Sequence, residues 1–550
     1  MVYFEEPFTT DEQQVLSRFF TNVDLPVYAL VNLPEVVKGA LFARYSRSPK
    51  SVRRLFLDEF INKPEVGIQA IADDEIGPDA SNAALKLARA EKLYDRVFSE
   101  YGDDSVAQLG GAHLACEQAS NILTKILERG RMASYLEQST RYIYYDQRLG
   151  QDYRFFVPHE VITVGLEQRY RQVMNYLFLT YSEMVAVLVP YYQRRFPQSA
   201  NDSDFIYNST IRAKACDTIR GLLPASTTSN LGIFASGQAY EALLLRMRGS
   251  KLSEPRDYAD LMLSELRKVI PSFLKRVDIP DRGGAWSDYL ASVRESMATS
   301  AAELETEILD SPEVNLANWD RDAETEIIAG ALYPESDASD IAIKKAVEKL
   351  SADEKATIFR GLVGDRNNRR HRPGRGFERA YYKFDLQTDF GIFRDLQRHR
   401  MLTIDWQKLT TGHGYVTSNV LTDAGIADKW HEAMGRAAEL VEEITTACGT
   451  RVAQYGVPFA FKIRYSMQMN AREAMHMLEL RTAQGGHVDY RRVCQEMHRQ
   501  IRERAGHGLV ADSMKYVDYN DYDLDRLEAE RRAEIRRAAA NATPSESSAG

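Results

Sequence analysis

The chain repeats itself once, and its two copies are out of step. Gly39-Ala40-Leu41-Phe42 returns as Gly330-Ala331-Leu332-Tyr333, Arg129-Gly130-Arg131-Met132 as Arg398-His399-Arg400-Met401, and Pro224 as Pro458. The offset falls from 291 to 269 to 234 residues along the chain. Two copies with unequal loops produce falling offsets, whereas a short-period solenoid keeps a constant one. At 550 residues the chain is also too long for one ordinary core. The expected division is a first module over 1–280, a linker over 281–325, a second module over 326–523, and a charged tail over 524–550. The linker is placed where Pro, Gly, Ser and acidic residues mix around a short helical stretch.

Apolar residues at three- and four-residue spacing predict helices over Val36–Phe42, Ser51–Phe60 and Ala83–Tyr101. Asp103-Asp104-Ser105, after Gly102, suits a cap for the next turn. Further helices are expected over Val164–Tyr191, Ile211–Leu223 and Asn230–Arg248. A charged helix over Leu527–Ala540 reads as a solvated arm or an oligomer contact, followed by a disordered end.

The charge balance excludes some functions. With 70 basic and 79 acidic side chains the formal charge is −9, which argues against sequence-independent nucleic-acid binding. No stretch approaches the ~20 consecutive apolar residues of a bilayer span, so no membrane role is expected. The acidic, aromatic start of the chain does not read as a signal peptide. Cys116, Cys216, Cys448 and Cys494 are widely spaced, so neither a disulfide framework nor a metal site is expected, and a reducing cytoplasm is the default location.

Three segments carry chemistry. Within Arg129–Arg141 stand three arginines, two serines and a glutamate, a donor set suited to phosphate. The run Arg369–Arg375 reads alone as a phosphate or nucleic-acid loop, or equally as an exposed turn. On a helix, Arg472, His476 and Leu480 share one face.

The spacing Arg-x-Arg-x-x-Ser-x-x-Glu-x-Ser-x-Arg of residues 129–141 resembles the Arg-His-Arg-x-x-Ser-x-Asn-Glu-x-Ser-x-Arg signature of flavin-dependent thymidylate synthases (ThyX). Gly130 and Leu136 stand where that family has His and Asn. The second copy restores the His in Arg398-His399-Arg400, but Thr403, Asp405, Trp406, Lys408 and Thr410 replace the rest. Asn470-Ala-Arg472-Glu-Ala-Met-His476 resembles the family's late helix; the first copy reads Ser236-Gly237-Gln238 there and lacks the arginine. Glu378 falls on or beside the glutamate of the family's upstream His-x-x-x-x-Glu-His segment.

The resemblance implies an α+β fold, two tandem ThyX-like domains that are helix-rich with a small antiparallel sheet in each. It implies transfer of a one-carbon unit from methylenetetrahydrofolate to C5 of dUMP or a related pyrimidine nucleotide, with hydride from reduced FAD and NADPH as reductant. The catalytic set it implies is Arg472, Glu137 and Ser139. Substrate binding falls to Arg141, Ser139, Thr140 and Arg220, and the flavin side to Arg129, Arg131, Arg398, His399, Arg400, Glu378, Asn470 and His476. No cysteine nucleophile is required, and no cysteine here has a recognisable partner set. A homodimer of fused pairs would mimic the family's tetramer. A non-catalytic flavin- or nucleotide-binding protein is the alternative, because each copy lacks a different part of the site.

Overall fold

The computed structural model describes residues 6–61, 108–305 and 312–522 apart from 27, 34, 46, 47, 49, 142 and 201, together with 524, 527, 531 and 535. The expected helix Ala83–Tyr101, the Asp103-Asp104-Ser105 cap and nearly all of the charged tail lie outside the described residues.

Both copies follow the order strand, helix, strand, long helix, strand, helix, and the first adds a second long helix before its third strand. The first has β1 (Gly111–Ser120), α1 (Asn121–Leu127), β2 (Ala133–Glu137), α2 (Glu167–Arg195), α3 (Asp204–Ile219), β3 (Thr228–Ser236) and α4 (Gly237–Arg248). After α5 (Ala285–Glu303) and β4 (Val314–Trp319), the second has β5 (Tyr381–Asp389), α6 (Phe390–Leu396), β6 (Thr403–Trp406), α7 (Ala427–Cys448), β7 (Lys462–Asn470), α8 (Ala471–Arg481) and α9 (Val488–Glu503). One sheet has the order β1-β3-β2, and the other has β4-β5-β7-β6, the same arrangement with one strand added at an edge.

Helix caps fix the register between copies. Ser120 caps α1 and Asp389 caps α6, each accepting from the backbone N–H three residues on. Their separation equals that of Arg129 from Arg398. Ser236 caps α4 and Asn470 caps α8, separated as Pro224 is from Pro458. The caps therefore place Gln238 of the first copy opposite Arg472 of the second. Each Ser, Asp or Asn ends its strand by satisfying an orphan helix donor, which is why strand and helix meet at these positions.

The described residues divide into two compact units. The first draws on residues 1–117, 130–137 and 230–305, and the second on 118–129, 138–229 and 306–550. In the first, β2 and β3 pair antiparallel from Ala133↔Ala235 to Glu137↔Leu231. In the second, β7 pairs along its whole length with β5, from Tyr381↔Asn470 to Asp389↔Lys462. Ile463, Tyr465, Met467 and Met469 alternate inward along β7 against Tyr382, Phe384 and Leu386 of β5, and all seven are buried. The repeat counterparts Pro224 and Pro458 meet in an antiparallel bridge inside this unit. Around them Ala225 N donates to Val457 O and Phe459 N to Leu223 O, at 2.8 and 2.9 Å.

Several expectations shift. Residues 230–236 are strand, not helix: Leu231, Ile233 and Ala235 are buried at period two, and the helix begins only after the Ser236 cap. The helix expected over Ile211–Leu223 starts earlier, at its Ser203 cap, and ends at Ile219. The segment expected as a linker contains α5, whose residues after Gly284 lack Pro and Gly and are rich in helix formers, and β4. Helix α2 is long and apolar enough to cross a membrane, but half of its most apolar stretch is buried. Its buried residues (Tyr170, Val173, Met174, Leu177, Tyr181, Met184 and Leu188 among them) recur at helical spacing, and Arg169 pairs with Glu443 of α7 at 3.1 Å. It is a core helix of the second unit.

Candidate functional site

Strand β5, helix α6 and helix α8 bring the second copy's chemistry together. His399, just beyond α6, is buried, and Arg481 Nε donates to its Nε2 at 2.9 Å. That bond makes Nε2 an acceptor, so Nδ1 carries the proton and donates to Glu473 Oε1, 3.1 Å away. His476 lies edge-on to His399 with ring centroids 5.4 Å apart, and Arg372 Nη2 donates to its Nδ1 at 2.9 Å. Glu473, His476 and Arg481 lie three to eight residues apart on α8, which puts them on one side of that helix.

Burial, then Arg481 and Arg372, holds the pKa of His399 well below its usual range. Burial lowers His476 to about 4, with Arg372 acting the same way against Glu473. Burial raises Glu473 against its basic neighbours. Both imidazoles are thus neutral near neutral pH. His399, Glu473 and His476 bring possible metal-ligand atoms within 4.8 Å of one another, a trio the sequence did not suggest. Guanidiniums already donate to both imidazoles, so the cluster suits an electron-rich group better than a cation.

The remaining flavin-side residues scatter around this core. Asn470 spends its side-chain oxygen on the α8 cap, accepting from Glu473 N at 2.8 Å. Arg472 donates from Nε to Pro373 O at 3.0 Å and lies 3.5 Å from Glu378 Oε1. Arg398 is exposed and Arg400 half-buried. Arg129 pairs with Asp405 at 2.8 Å, its guanidinium 5.1 Å from the Trp406 ring centroid. Arg131 and Glu137 belong to the first unit, Arg131 exposed and Glu137 half-buried at the end of β2.

The phosphate-side residues gather separately. Arg141 forks onto Asp217, with Nε 3.0 Å from Oδ1 and Nη2 2.7 Å from Oδ2. Ser139 Oγ accepts from Arg141 N at 3.2 Å, and buried Thr140 accepts from Arg394 Nη1 at 3.1 Å. Arg220 opens the turn before Pro224, and Gln454 holds the equivalent turn position before Pro458. Arg220 Nη1 lies 3.2 Å from Asp395 Oδ2, whereas its buried Nη2 has no hydrogen-bond partner among the described residues. Burial alone would raise Asp395, but Arg220, followed by Arg398, Arg481 and Arg141, holds it well below the usual carboxylate range.

A cavity of ≈ 490 Å³ opens beside Arg220, walled by Asp217, Asp389, Trp430 and His487 and floored by Phe459 and Ala460 next to the Pro224–Pro458 bridge. Trp430 Nε1 is a second buried donor there without a hydrogen-bond partner among the described residues. A Cβ on Gly221 would lie 2.8 Å from Trp430 Cη2, so glycine keeps that wall in place. Burial, then Arg220, brings His487 down to about 4. Burial, then Asp489, raises Asp389 to about 7 despite Arg220.

Asp389 makes a stability prediction. A carboxyl whose folded pKa lies above its unfolded value loses stability as pH rises through the folded value. Asp389→Asn keeps the α6 cap and removes the charge. Between about pH 5 and pH 8 the wild type should lose on the order of 2–3 kcal/mol that the variant does not lose. Urea titrations at both pH values measure it, and the histidine contributions cancel in the comparison. Parallel pH dependence in the two proteins would contradict the burial cost.

Sequence reasoning missed Asp217, Asp395, Glu473, Trp430 and Tyr490 as members of these clusters. Asp217 carried a local signal, one helical turn before Arg220. Tyr490 links the two clusters: Arg141 Nη1 lies 3.4 Å from its hydroxyl, and the guanidiniums of Arg141 and Arg481 lie 5.9 and 5.6 Å from its ring centroid. Burial pushes the thiols of Cys116 and Cys494 up to about 11 and about 12, the opposite of nucleophile activation.

Known proteins converge on one family. The family model described as thymidylate synthase complementing protein matches residues 61–272 and 316–505, one segment in each copy. A UPF0159 protein of Chlamydia pneumoniae is 38% identical over 96% of this chain and 99% of its own length. A UPF0159 protein of Chlamydia muridarum is 36% identical over 97% and 99%, and one from Thermoplasma acidophilum 28% identical over 91% and 99%. The solved UMP/dUMP methylase PolB from Streptomyces cacaoi, bound with 5-Br dUMP, is 14% identical, covering 37% of this chain and 94% of that one at a TM-score of 0.29, too partial a likeness to argue from. The repeated family match and the full-length relatives establish that the chain belongs to the thymidylate synthase complementing proteins, as a tandem ThyX-like arrangement.

Proposed function

We propose that the protein is a flavin-dependent thymidylate synthase-like enzyme, methylating dUMP or a related pyrimidine nucleotide with methylenetetrahydrofolate as one-carbon donor. One observation carries the reading: Arg220, whose buried Nη2 has no hydrogen-bond partner among the described residues, lines a cavity within the size range of small-ligand sites. Arg141, Ser139 and Thr140 hold the substrate phosphate alongside Arg220. Arg472 polarises the ring, stabilising negative charge as it builds there. Arg481, one helical turn beyond the expected set, shares that task through its bond to His399.

The donor set around His399 fits an electron-rich, polyanionic cofactor: two neutral imidazoles amid Arg372, Arg398, Arg400, Arg472 and Arg481. His399, His476, Asn470, Arg398, Arg400 and Glu378 would hold FAD, with Arg129 of the first copy in the same role. When bound and reduced, FAD supplies hydride, with NADPH as the reductant. A homodimer acting as a pseudo-tetramer is the assembly we propose.

A non-catalytic binding protein is the second reading. It is favoured by the Asp217 carboxylate on Arg141 and the Asp405 carboxylate on Arg129, which neutralise two arginines the enzyme reading needs. Purified protein should carry a flavin absorbance spectrum and oxidise NADPH only when dUMP is added. Arg141→Ala and Arg472→Ala should each abolish that dUMP-dependent oxidation. Full activity in either variant would sink the catalytic assignment.

A further inference from the structure

We propose that Asp217 holds the place of a ligand phosphate on Arg141, so that a nucleotide gains this guanidinium only by exchange with the carboxylate. The inference rests on reading the Arg220 cavity as the nucleotide's seat, and it concerns affinity and specificity rather than chemistry. The planar fork of Arg141, Nε and Nη2, is satisfied by both Asp217 oxygens at 3.0 and 2.7 Å. This two-point geometry is also how arginine receives a phosphate. The third nitrogen, Nη1, faces the Tyr490 hydroxyl at 3.4 Å. Both members of the ion pair are nearly enclosed, with side chains 11% and 10% exposed, so solvent does little to loosen it.

Position makes the pair a competitor and not only a brace. Asp217 lines the cavity, as does Arg220 one turn further along the chain, whereas Arg141 stands behind the carboxylate and contributes nothing to the wall. A phosphate that pairs with Arg220 in this cavity meets Asp217 first. For Arg141 to join, the carboxylate has to turn away. The measured affinity then equals the intrinsic affinity reduced by the fraction of molecules with Arg141 released. A nucleoside without a phosphate does not incur that reduction.

The experiment is equilibrium binding of dUMP and of deoxyuridine to the full chain by calorimetry, for the wild type and Asp217→Asn. The asparagine keeps the shape but drops the charge on Arg141. Binding of dUMP should tighten about tenfold or more, and binding of deoxyuridine should not change. Asp217→Ser serves as the second variant if the asparagine protein does not fold, with the same expectation. Unchanged or weaker dUMP binding, equal tightening of deoxyuridine, or no dUMP binding to any protein would overturn the proposal. Tightened binding without turnover would leave the role of Asp217 standing and remove the synthase reading. Unchanged binding with normal turnover would do the reverse.

Discussion

Arg366→Ala is expected to destabilise the second unit by about 3–5 kcal/mol, because it strands a buried carboxylate. Arg366 and Glu479 are each about 1% exposed, and two parallel bonds of 2.7 Å join them. The same guanidinium donates to Ser513 O at 2.6 Å and to His371 O. It therefore ties α8, which carries Arg472, Glu473, His476 and Arg481, to the loop that carries Arg372 and Pro373. Removing one partner leaves a charge in a place water cannot reach, whereas replacing both with apolar side chains of similar volume removes the desolvation cost as well. Arg366→Met combined with Glu479→Met should thus be less destabilised than either single change. Urea denaturation of the three variants checks this. A single-variant loss below about 1 kcal/mol would show that the pair contributes little net stability.

If the proposed enzyme reading holds, Arg481→Ala is expected to lower turnover by about two orders of magnitude or more, with the fold retained, because it removes a positioned donor at the proposed flavin-side site. Two effects combine. The side chain donates to His399 Nε2 and fixes which nitrogen carries the proton. Its charge is also the largest influence after burial that keeps His399 neutral. Without it the His399 pKa should rise, and the proton that Nδ1 gives to Glu473 is no longer fixed there by a donor on the opposite nitrogen. Turnover as a function of pH is the readout: the loss should be greatest on the acid side, where the freed imidazole begins to protonate. A uniform fall across pH with unchanged His399 titration would assign Arg481 to packing alone.

The repeat was legible because its landmarks are backbone devices. Pro224 and Pro458, and the caps Ser236 and Asn470, hold equivalent places because a strand end and a helix start need those residue types locally. The strand over 228–236 was misread because its last residues precede a strongly periodic helix, and that period was carried backwards through Leu231 and Ile233. The basic half of each cluster was legible from motif spacing: Arg141, Arg220, His399, Arg472 and His476 all fall in described clusters. Their acidic partners were not. Asp395 lies 175 residues from Arg220 along the chain and Glu473 lies 74 from His399, separations that only the folded sheet closes. For the same reason the sequence pointed to open phosphate-gripping arginines, where the structure has Arg141 paired with Asp217 and Arg220 with Asp395.

The central claim is that two incomplete copies together support methylation at C5 of a pyrimidine nucleotide. The most direct measurement is tritium release from C5-labelled dUMP, with the purified protein, FAD, methylenetetrahydrofolate and NADPH. Release should require the protein, methylenetetrahydrofolate and NADPH, and should disappear in Arg141→Ala and Arg472→Ala. Protein that binds FAD and dUMP yet releases no tritium under any reductant would contradict it and leave a binding protein in its place.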